Sequence, residues 1–399
     1  MPTTLSEKAK KVKSSSTLEI TAKAKALKAA GEDVCSFGAG EPDFPTPENI
    51  RKAGIHAIET GQTRYTAASG IVELKEAICR KFKSFNNLEY QPNQIVVGSG
   101  GKHCLTDAFE AILNEGDEVI IPAPYWLSYP EIVRLAGGVP VIVRCGKENG
   151  YKITAEQLAA AVTDKTKAFV LNTPNNPTGM LYSEEELRAI AEVVVEKDFF
   201  VVADEMYEIL VYGEGEKHVS IASFGPEIYK RTLTCSGVSK SYAMTGWRIG
   251  YCGAPVEIAK LMSNIQSHQT SNPCTISQVA AVEALNGPQD TVYEMLDAFN
   301  ERRKYIYERV SGFPLVKTME PMGAFYLFID CNGVYGKVYK DKTIESAADI
   351  AAILIEDYKT AVVPCADFGF DDHIRLSYAT SMEEITEGLN RIESFLKSL

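Results

Sequence analysis

The sequence has no C-x-x-C pair. Its nine cysteines, an odd number, are scattered from Cys35 to Cys365, which argues against a disulfide framework and a cysteine zinc site and favours reduced intracellular thiols. The five histidines show no paired metal spacing, so His103 and His268 read as structural and no metal is expected. Basic residues are in the minority: 41 Lys and Arg stand against 53 Asp and Glu, a formal charge of −12. That balance excludes a nucleic-acid binder working through a broadly basic surface. No apolar run approaches the roughly 18 residues of a membrane span, and there is no internal repeat or low-complexity tract. Lys8, Lys10, Lys11 and Lys13 near the amino terminus have Glu7 among them and no apolar stretch behind them. They read as no secretory or transit peptide, and a cytoplasmic location is expected. What is present is ordinary globular composition, 45% hydrophobic and 24% charged over 399 residues, enough for a large core and two or three domains at roughly 100 to 200 residues each.

Along the chain, Thr17 is expected to cap an Ala/Lys-rich helix that Gly31 stops. The string Gly38-Ala39-Gly40-Glu41-Pro42-Asp43-Phe44-Pro45 is too rich in Gly and Pro for a regular element. From about residue 95, short β-branched runs alternate with helical patterns, the signature of parallel strands joined by crossovers. The expected strands are 95–98, 118–121, 139–143, 168–171, 199–203, 232–235 and 250–253, seven in one sheet. The clearest crossover helix follows Ser183, where Ser-Glu-Glu-Glu forms a capping box and Leu187, Ile190, Ala191 and Val194 share one face. After Pro255 the pattern is helical through the charged 300–304 segment, consistent with a long helix leaving the large domain. The last third gives strands at 324–329, 361–363 and 374–378, a helix at 346–357 and a final helix from Met382, a smaller α+β unit.

In open α/β sheets the ligand sits at the carboxyl ends of the strands. There the chain places Ser99-Gly100-Gly101-Lys102, Asn172-Thr173-Pro174-Asn175-Asn176-Pro177-Thr178-Gly179, Asp204-Glu205-Met206-Tyr207 and Ser236-Gly237-Val238-Ser239-Lys240. Two nucleotide motifs fail: His103 stands where a dinucleotide fingerprint needs its third glycine, and where a P-loop needs Ser or Thr after the lysine. A Gly-rich turn feeding a helix amino terminus can still cradle a phosphate. Pyridoxal 5′-phosphate needs a lysine for its Schiff base, a carboxylate for the pyridinium nitrogen, and donors for the ring oxygen and the phosphate. Lys240, Asp204, Tyr207 with Asn176, and Arg248 with the Gly100-Gly101 turn supply that set.

Several strings then carry a family resemblance. Gly40-Glu41-Pro42-Asp43-Phe44, Pro124-Tyr125-Trp126, Asn175-Asn176-Pro177-Thr178-Gly179, Ser239-Lys240 and Ala243-Met244-Thr245-Gly246-Trp247-Arg248-Ile249-Gly250 resemble those of the fold-type I, class I pyridoxal-phosphate aminotransferases, and their Iβ aspartate aminotransferase branch most of all. The resemblance spans essentially the whole chain. It implies an α/β fold with a seven-stranded, mostly parallel sheet in a large cofactor-binding domain (49–298), a smaller α+β domain (299–399), and an arm (1–48) that contributes to the small domain. It implies that Lys240 holds the cofactor covalently and shuttles the proton, that Trp126 stacks on the ring, and that Gly100, Gly101, Ser239 and Arg248 hold the phosphate. By the same resemblance Arg375, with the Gly40 backbone, takes the substrate α-carboxylate. Lys102, beside the phosphate turn, would meet the distal carboxylate of a dicarboxylic substrate. Tyr65 resembles the tyrosine that reaches the neighbouring subunit's phosphate, implying a homodimer with shared sites. Lys13 and Thr66 resemble residues of Iβ members that also act on prephenate. One departure is Gly237, where many class I members have Ser; Ser236 or Ser239 is expected to replace that hydroxyl.

The expected reaction is ping-pong transamination of amino-acid and keto-acid substrates, L-aspartate with 2-oxoglutarate and also prephenate to L-arogenate, with the Lys240 amine lowered in pKa by cationic surroundings. Two alternatives stand beside it. One is another fold-type I enzyme, an aromatic aminotransferase or a lyase. The other is a non-enzymatic aminotransferase-like effector module.

Overall fold

The computed structural model describes residues 5–10, 12 and 16–399; Lys13 lies outside the described residues. Helix α1 (Ser16–Ala29) begins one residue before Thr17. Thr17 therefore sits inside the first turn instead of capping it, and its carbonyl accepts from Thr21 Oγ1 at 2.8 Å. Gly31, at φ +90°, stands just beyond the helix end. Helix α2 (Val72–Asn86) follows.

The large sheet comprises β1 (Ile95–Gly98), β2 (Glu118–Ala123), β3 (Val139–Arg144), β4 (Thr166–Asn172), β5 (Phe200–Asp204), β6 (Thr232–Gly237) and β7 (Gly250–Gly253). In space the order is β1-β7-β6-β5-β4-β2-β3. Strand β7 runs antiparallel to both neighbours, and the remaining pairs are parallel, which gives the expected seven-stranded, mostly parallel sheet. Both faces are covered, so nearly every strand residue is apolar or small. Pleating then sorts them. Val119, Ile121, Val170 and Val202 pack with Leu105, Ala108 and Phe109 of α3 (Gly101–Ile112). Ile120, Phe169, Leu171, Val201 and Ala203 pack on the opposite face with Leu187, Ile190 and Val194 of α4 (Glu184–Lys197). Helix α4 has the expected reciprocal cap between Ser183 and Glu186.

The helical stretch after Pro255 resolves into three helices, Val256–Gln269, Thr275–Asn286 and the long α5 (Asp290–Ser311). The breaks fall at Pro273 and Pro288, whose missing N–H and ring bulk interrupt the helical ladder. Beyond α5, strands β8 (Lys317–Thr318), β9 (Tyr326–Asp330), β10 (Val363–Pro364) and β11 (His373–Ser377) form a second sheet in the order β10-β11-β9-β8, all antiparallel. Leu327, Ile329, Ile374 and Leu376 bury themselves against Phe299 and Ile306 of α5 and Ile385, Leu389 and Phe395 of α6 (Met382–Lys397).

The amino-terminal segment joins this second sheet region. Cys35–Ser36 pairs in parallel with Thr360–Ala361, and Ser377 N–H donates to the Phe37 carbonyl at 2.9 Å. These bonds fix the start of the Gly38–Glu41 loop beside β11, while Lys240, following β6, reaches Gly40 from the large sheet. No helix among the described residues is long and apolar enough to cross a membrane.

Candidate active site

The carboxyl ends of β4, β5 and β6 meet the Gly38–Glu41 loop, Tyr326 and Arg375 around a cavity of about 420 Å³. Lys240 Nζ donates to the Gly40 carbonyl at 2.5 Å. Burial lowers its pKa to about 8, opposed by Glu41 and assisted by Arg375 and Arg248. The expected cationic cause is therefore secondary, and desolvation of the ammonium dominates. At neutral pH about a tenth of such an amine is unprotonated, against well under a thousandth for an ordinary lysine. Capture of an aldehyde by Lys240 in the cofactor-free protein should accordingly accelerate as pH rises through about 8 and then level off. Stopped-flow absorbance against pH measures this, and a rate still climbing steeply above pH 10 would contradict it.

Asp204 ends β5 with its carboxylate held on both oxygens: Tyr129 Oη donates to Oδ2 at 2.7 Å and the Met206 N–H to Oδ1 at 3.1 Å. Burial raises its pKa against the lowering effect of these two bonds. A buried carboxylate in that condition gains from a neighbouring cation or N–H donor. Tyr207 shares a 2.9 Å hydrogen bond with Tyr326 through their hydroxyls, and burial pushes its phenol well above the usual value. Asn172 ties two elements together. Its Nδ2 donates to the Asp204 carbonyl at 3.0 Å, and its Oδ1 accepts from the Asn176 N–H at 2.9 Å.

Arg375 is 2% exposed. Its Nη1 donates to Asn176 Oδ1 at 2.9 Å and its Nη2 to the Gly38 carbonyl at 3.3 Å, while Nε is buried without a hydrogen-bond partner. The Tyr326 ring lies 4.3 Å from the guanidinium carbon. A buried cation with an orphan donor, bordering a cavity, is a site for an anion.

At the other end, the Gly100 turn leads into α3 and exposes its first N–H groups. Gly100 has φ +91°, and a side chain there would strike the Arg248 guanidinium. Arg248 itself is braced by the Thr245 carbonyl at 2.7 Å and the Ser99 carbonyl at 3.3 Å. Gly101, Lys102, Trp126 and Ser239 border the same cavity. The Lys102 ammonium lies 4.9 Å from the Trp126 ring centroid, and burial, with the charge of Arg248, lowers its pKa. The hydroxyl missing at Gly237 has a structural reason: a Cβ there would lie 3.1 Å from both Gly250 Cα and the Ile249 carbonyl oxygen. Of the two serines expected to replace it, Ser236 turns away and donates to Glu208 at 2.5 Å. Ser239 is the one on the cavity.

Three expected residues among those described do not line this cavity: Gly100, just before Gly101, and Tyr65 and Thr66. Tyr65 is 91% exposed; Thr66 accepts from Gln278 Nε2 at 3.3 Å. Conversely, sequence reasoning missed Tyr129 and Tyr326, and placed Asn172 at the strand end without giving it a role. Nothing local marks the two tyrosines, since each is an ordinary strand or helix residue whose partner lies far along the chain.

The arrangement has an anion site at a helix terminus, a near-neutral amine, a buried carboxylate, an indole, and a second, deeper anion site. Comparison with known proteins agrees with it. The family profile for class I and II aminotransferases matches residues 32–392. An aspartate aminotransferase of Bacillus sp. (strain YM-2) is 50% identical over 98% of this chain and 99% of that protein. An aspartate/prephenate aminotransferase of Cereibacter sphaeroides is 48% identical over 99% of each. The crystal structure of the aspartate aminotransferase from Rhizobium meliloti superposes with a TM-score of 0.95 at 44% identity, covering 99% of both chains. The chain belongs to the class I and II aminotransferases.

Proposed function

We propose that the protein is a pyridoxal 5′-phosphate-dependent aspartate aminotransferase, converting L-aspartate and 2-oxoglutarate to oxaloacetate and L-glutamate, and that it also aminates prephenate to L-arogenate. The relatives named for those two activities support the substrates. The observation that carries the reading is the meeting of Lys240, Asp204 and the orphan Arg375 Nε around one cavity. The residues fit the cofactor: the glycine turn that a Cβ would fill and Arg248 suit its phosphate, and Asp204 suits a protonated ring nitrogen.

When bound, that cofactor supplies an aldehyde that accepts the amino group and a conjugated ring that spreads the electrons left at Cα. The chain supplies the rest. Lys240 Nζ forms the covalent link and, once displaced, takes the Cα proton and returns it. Asp204 would keep the ring nitrogen protonated, Tyr207 and Asn176 would hold the ring oxygen, and Trp126 would pack on the ring. Arg375 binds the α-carboxylate, and Lys102 the distal carboxylate.

The same reading makes the active unit a homodimer, with Tyr65 and the exposed Ile55, Ile58 and Val72 as the surface a second copy would cover. It divides the chain into the arm, large and small domains at 1–48, 49–298 and 299–399, and Thr66 retains its proposed part in prephenate recognition. A cytoplasmic location accords with nine free cysteines.

The reconstituted protein should be yellow, lose that colour on addition of L-aspartate, and form arogenate from prephenate with aspartate as donor. A colourless protein, or colour indifferent to aspartate, overturns the reading; absence of arogenate overturns its prephenate half. Lys102→Ala should lower kcat/KM for aspartate by about 10- to 100-fold, the worth of a charged hydrogen bond, while changing monocarboxylic donors by less than about threefold. Steady-state kinetics on aspartate and phenylalanine check this.

A further inference from the structure

The turn that carries Asp204 and Tyr207 has a second side. Within residues 204–208, Asp204 and Tyr207 border the cavity; Glu205 and Glu208 do not, and both are buried. The Glu205 N–H donates to the Cys235 carbonyl at 2.8 Å and the Glu208 N–H to the Glu205 carbonyl at 2.9 Å, a tight turn off the end of β5.

Two carboxylates hidden behind a cofactor site are costly unless every oxygen is paired. Here all four are. Glu205 Oε1 accepts from Ser220 Oγ at 2.6 Å. Glu205 Oε2 and Glu208 Oε2 share the two N–H donors of Asn86 Nδ2, at 2.9 and 2.7 Å. Glu208 Oε1 takes the Lys81 ammonium and Ser236 Oγ. Burial pushes Glu208 up, but Lys81 and its other partners bring it below the usual carboxylate value. His218 Nε2 lies 3.0 Å from Glu205 Oε2.

Glu205, Glu208 and His218 bring their ligand atoms within 4.8 Å of one another, a spacing open to a metal ion. Asn86 and Lys81 argue against one. The Asn86 amide bridges the two glutamates where a cation would sit, and an ammonium already neutralises one of them. The two glutamates with Lys81 and Asn86 instead form a polar lock. It joins α2, through Lys81 and Asn86, to the ends of β5 and β6; the pairing of all four carboxylate oxygens holds the two glutamates in one geometry, while both ring nitrogens of His218 at its edge are buried without a hydrogen-bond partner.

We propose that Glu205 and Glu208, locked by Lys81 and Asn86, are positioning residues that set Asp204 and Tyr207 against the cofactor ring. The inference rests on the functional reading above and deepens it. It predicts that disturbing the lock changes the cofactor's electronic environment at a distance, without touching Arg375 or Lys102.

The test uses reconstituted holoenzyme of Glu208→Gln and of the double variant K81M/E208Q, which removes both charges and serves where the single variant does not fold. Val194→Ala, a core truncation in α4 on the opposite face from α3, matches any loss of thermal stability. Three quantities are read: the pH midpoint of the bound cofactor's visible absorbance, kcat and KM. A misplaced Tyr207 hydroxyl no longer stabilises the anionic ring oxygen, so the midpoint should rise by about half a unit, a threefold change in proton affinity. The kcat for aspartate should fall about tenfold while KM stays within about threefold. V194A should change neither. Midpoint and kcat equal to wild type in a folded lock variant would overturn the proposal and leave the cluster as core packing. A wild-type protein with no pH-dependent band would instead overturn the functional reading, and this inference with it.

Discussion

Lys240→Ala should lower kcat for aspartate and 2-oxoglutarate by about 10⁴-fold or more, the loss expected when one group supplies both the covalent link and the proton transfer. The size follows from what else the cavity offers. Lys25 and Lys102 also border it, but only Lys240 follows β6 directly, within 2.5 Å of the Gly40 carbonyl and with its amine depressed to about 8. Burial that disfavours the ammonium makes the same nitrogen a nucleophile and base near neutral pH. Lys240→Arg separates these roles from charge. A guanidinium keeps the cation and most of the packing yet stays protonated at every working pH, so the Arg variant should be as inactive as the Ala variant. The measurement is kcat, together with the visible spectrum after reconstitution. An Arg variant retaining a tenth of wild-type kcat would show that the positive charge, and not a titratable amine, is what the site requires.

The parts of this site legible in the sequence were those that lie at strand ends. A parallel sheet delivers the residues following each strand to one edge, so Lys240, Asp204 and the Asn176 loop converge because the strands do. The Ser183 cap was legible for a similar reason: its partner Glu186 is three residues away. Contacts with distant partners were not. Tyr129 and Asp204 are 75 residues apart, and Tyr207 and Tyr326 are 119 apart; only the folded chain shows that each pair shares a hydrogen bond. Charge misled at Lys240. Lys240 sits near two arginines, yet its amine is shifted chiefly by desolvation. Glu205, within the Asp204–Tyr207 string, and Glu208, just after it, drew no reading from the sequence, because their partners come from α2 and β6. The helical pattern after Pro255 was legible, and Pro273 and Pro288 mark where it divides into three helices.

Arg375→Ala should lower kcat/KM for L-aspartate by about 10²- to 10⁴-fold, since two charged hydrogen bonds to a carboxylate are each worth roughly 1.5–3 kcal/mol. Arg375→Lys should recover only about tenfold of that, because an ammonium is a point charge that cannot reproduce the planar fork. The surroundings explain why lysine is a poor substitute. Nη1 and Nη2 already hold Asn176 Oδ1 and the Gly38 carbonyl, and the Tyr326 ring lies 4.3 Å from the guanidinium carbon. A single nitrogen at that site cannot bind Asn176, Gly38 and the substrate with the same geometry. The Ala variant leaves two buried acceptors without their donor, so it should also be less stable, by about 1–3 kcal/mol for each that water does not reach. Cofactor affinity is the internal control. Arg375 approaches the cavity from β11, whereas the phosphate site is built from α3 and Arg248, so the equilibrium constant for pyridoxal 5′-phosphate should change by less than about threefold. A donor without an α-carboxylate, such as β-alanine, completes the argument: it never used Arg375 as its α-carboxylate clamp, and the variant should process it no more slowly than wild type does. Equal losses on aspartate and β-alanine would mean that Arg375 supports the site's architecture and does not read the α-carboxylate.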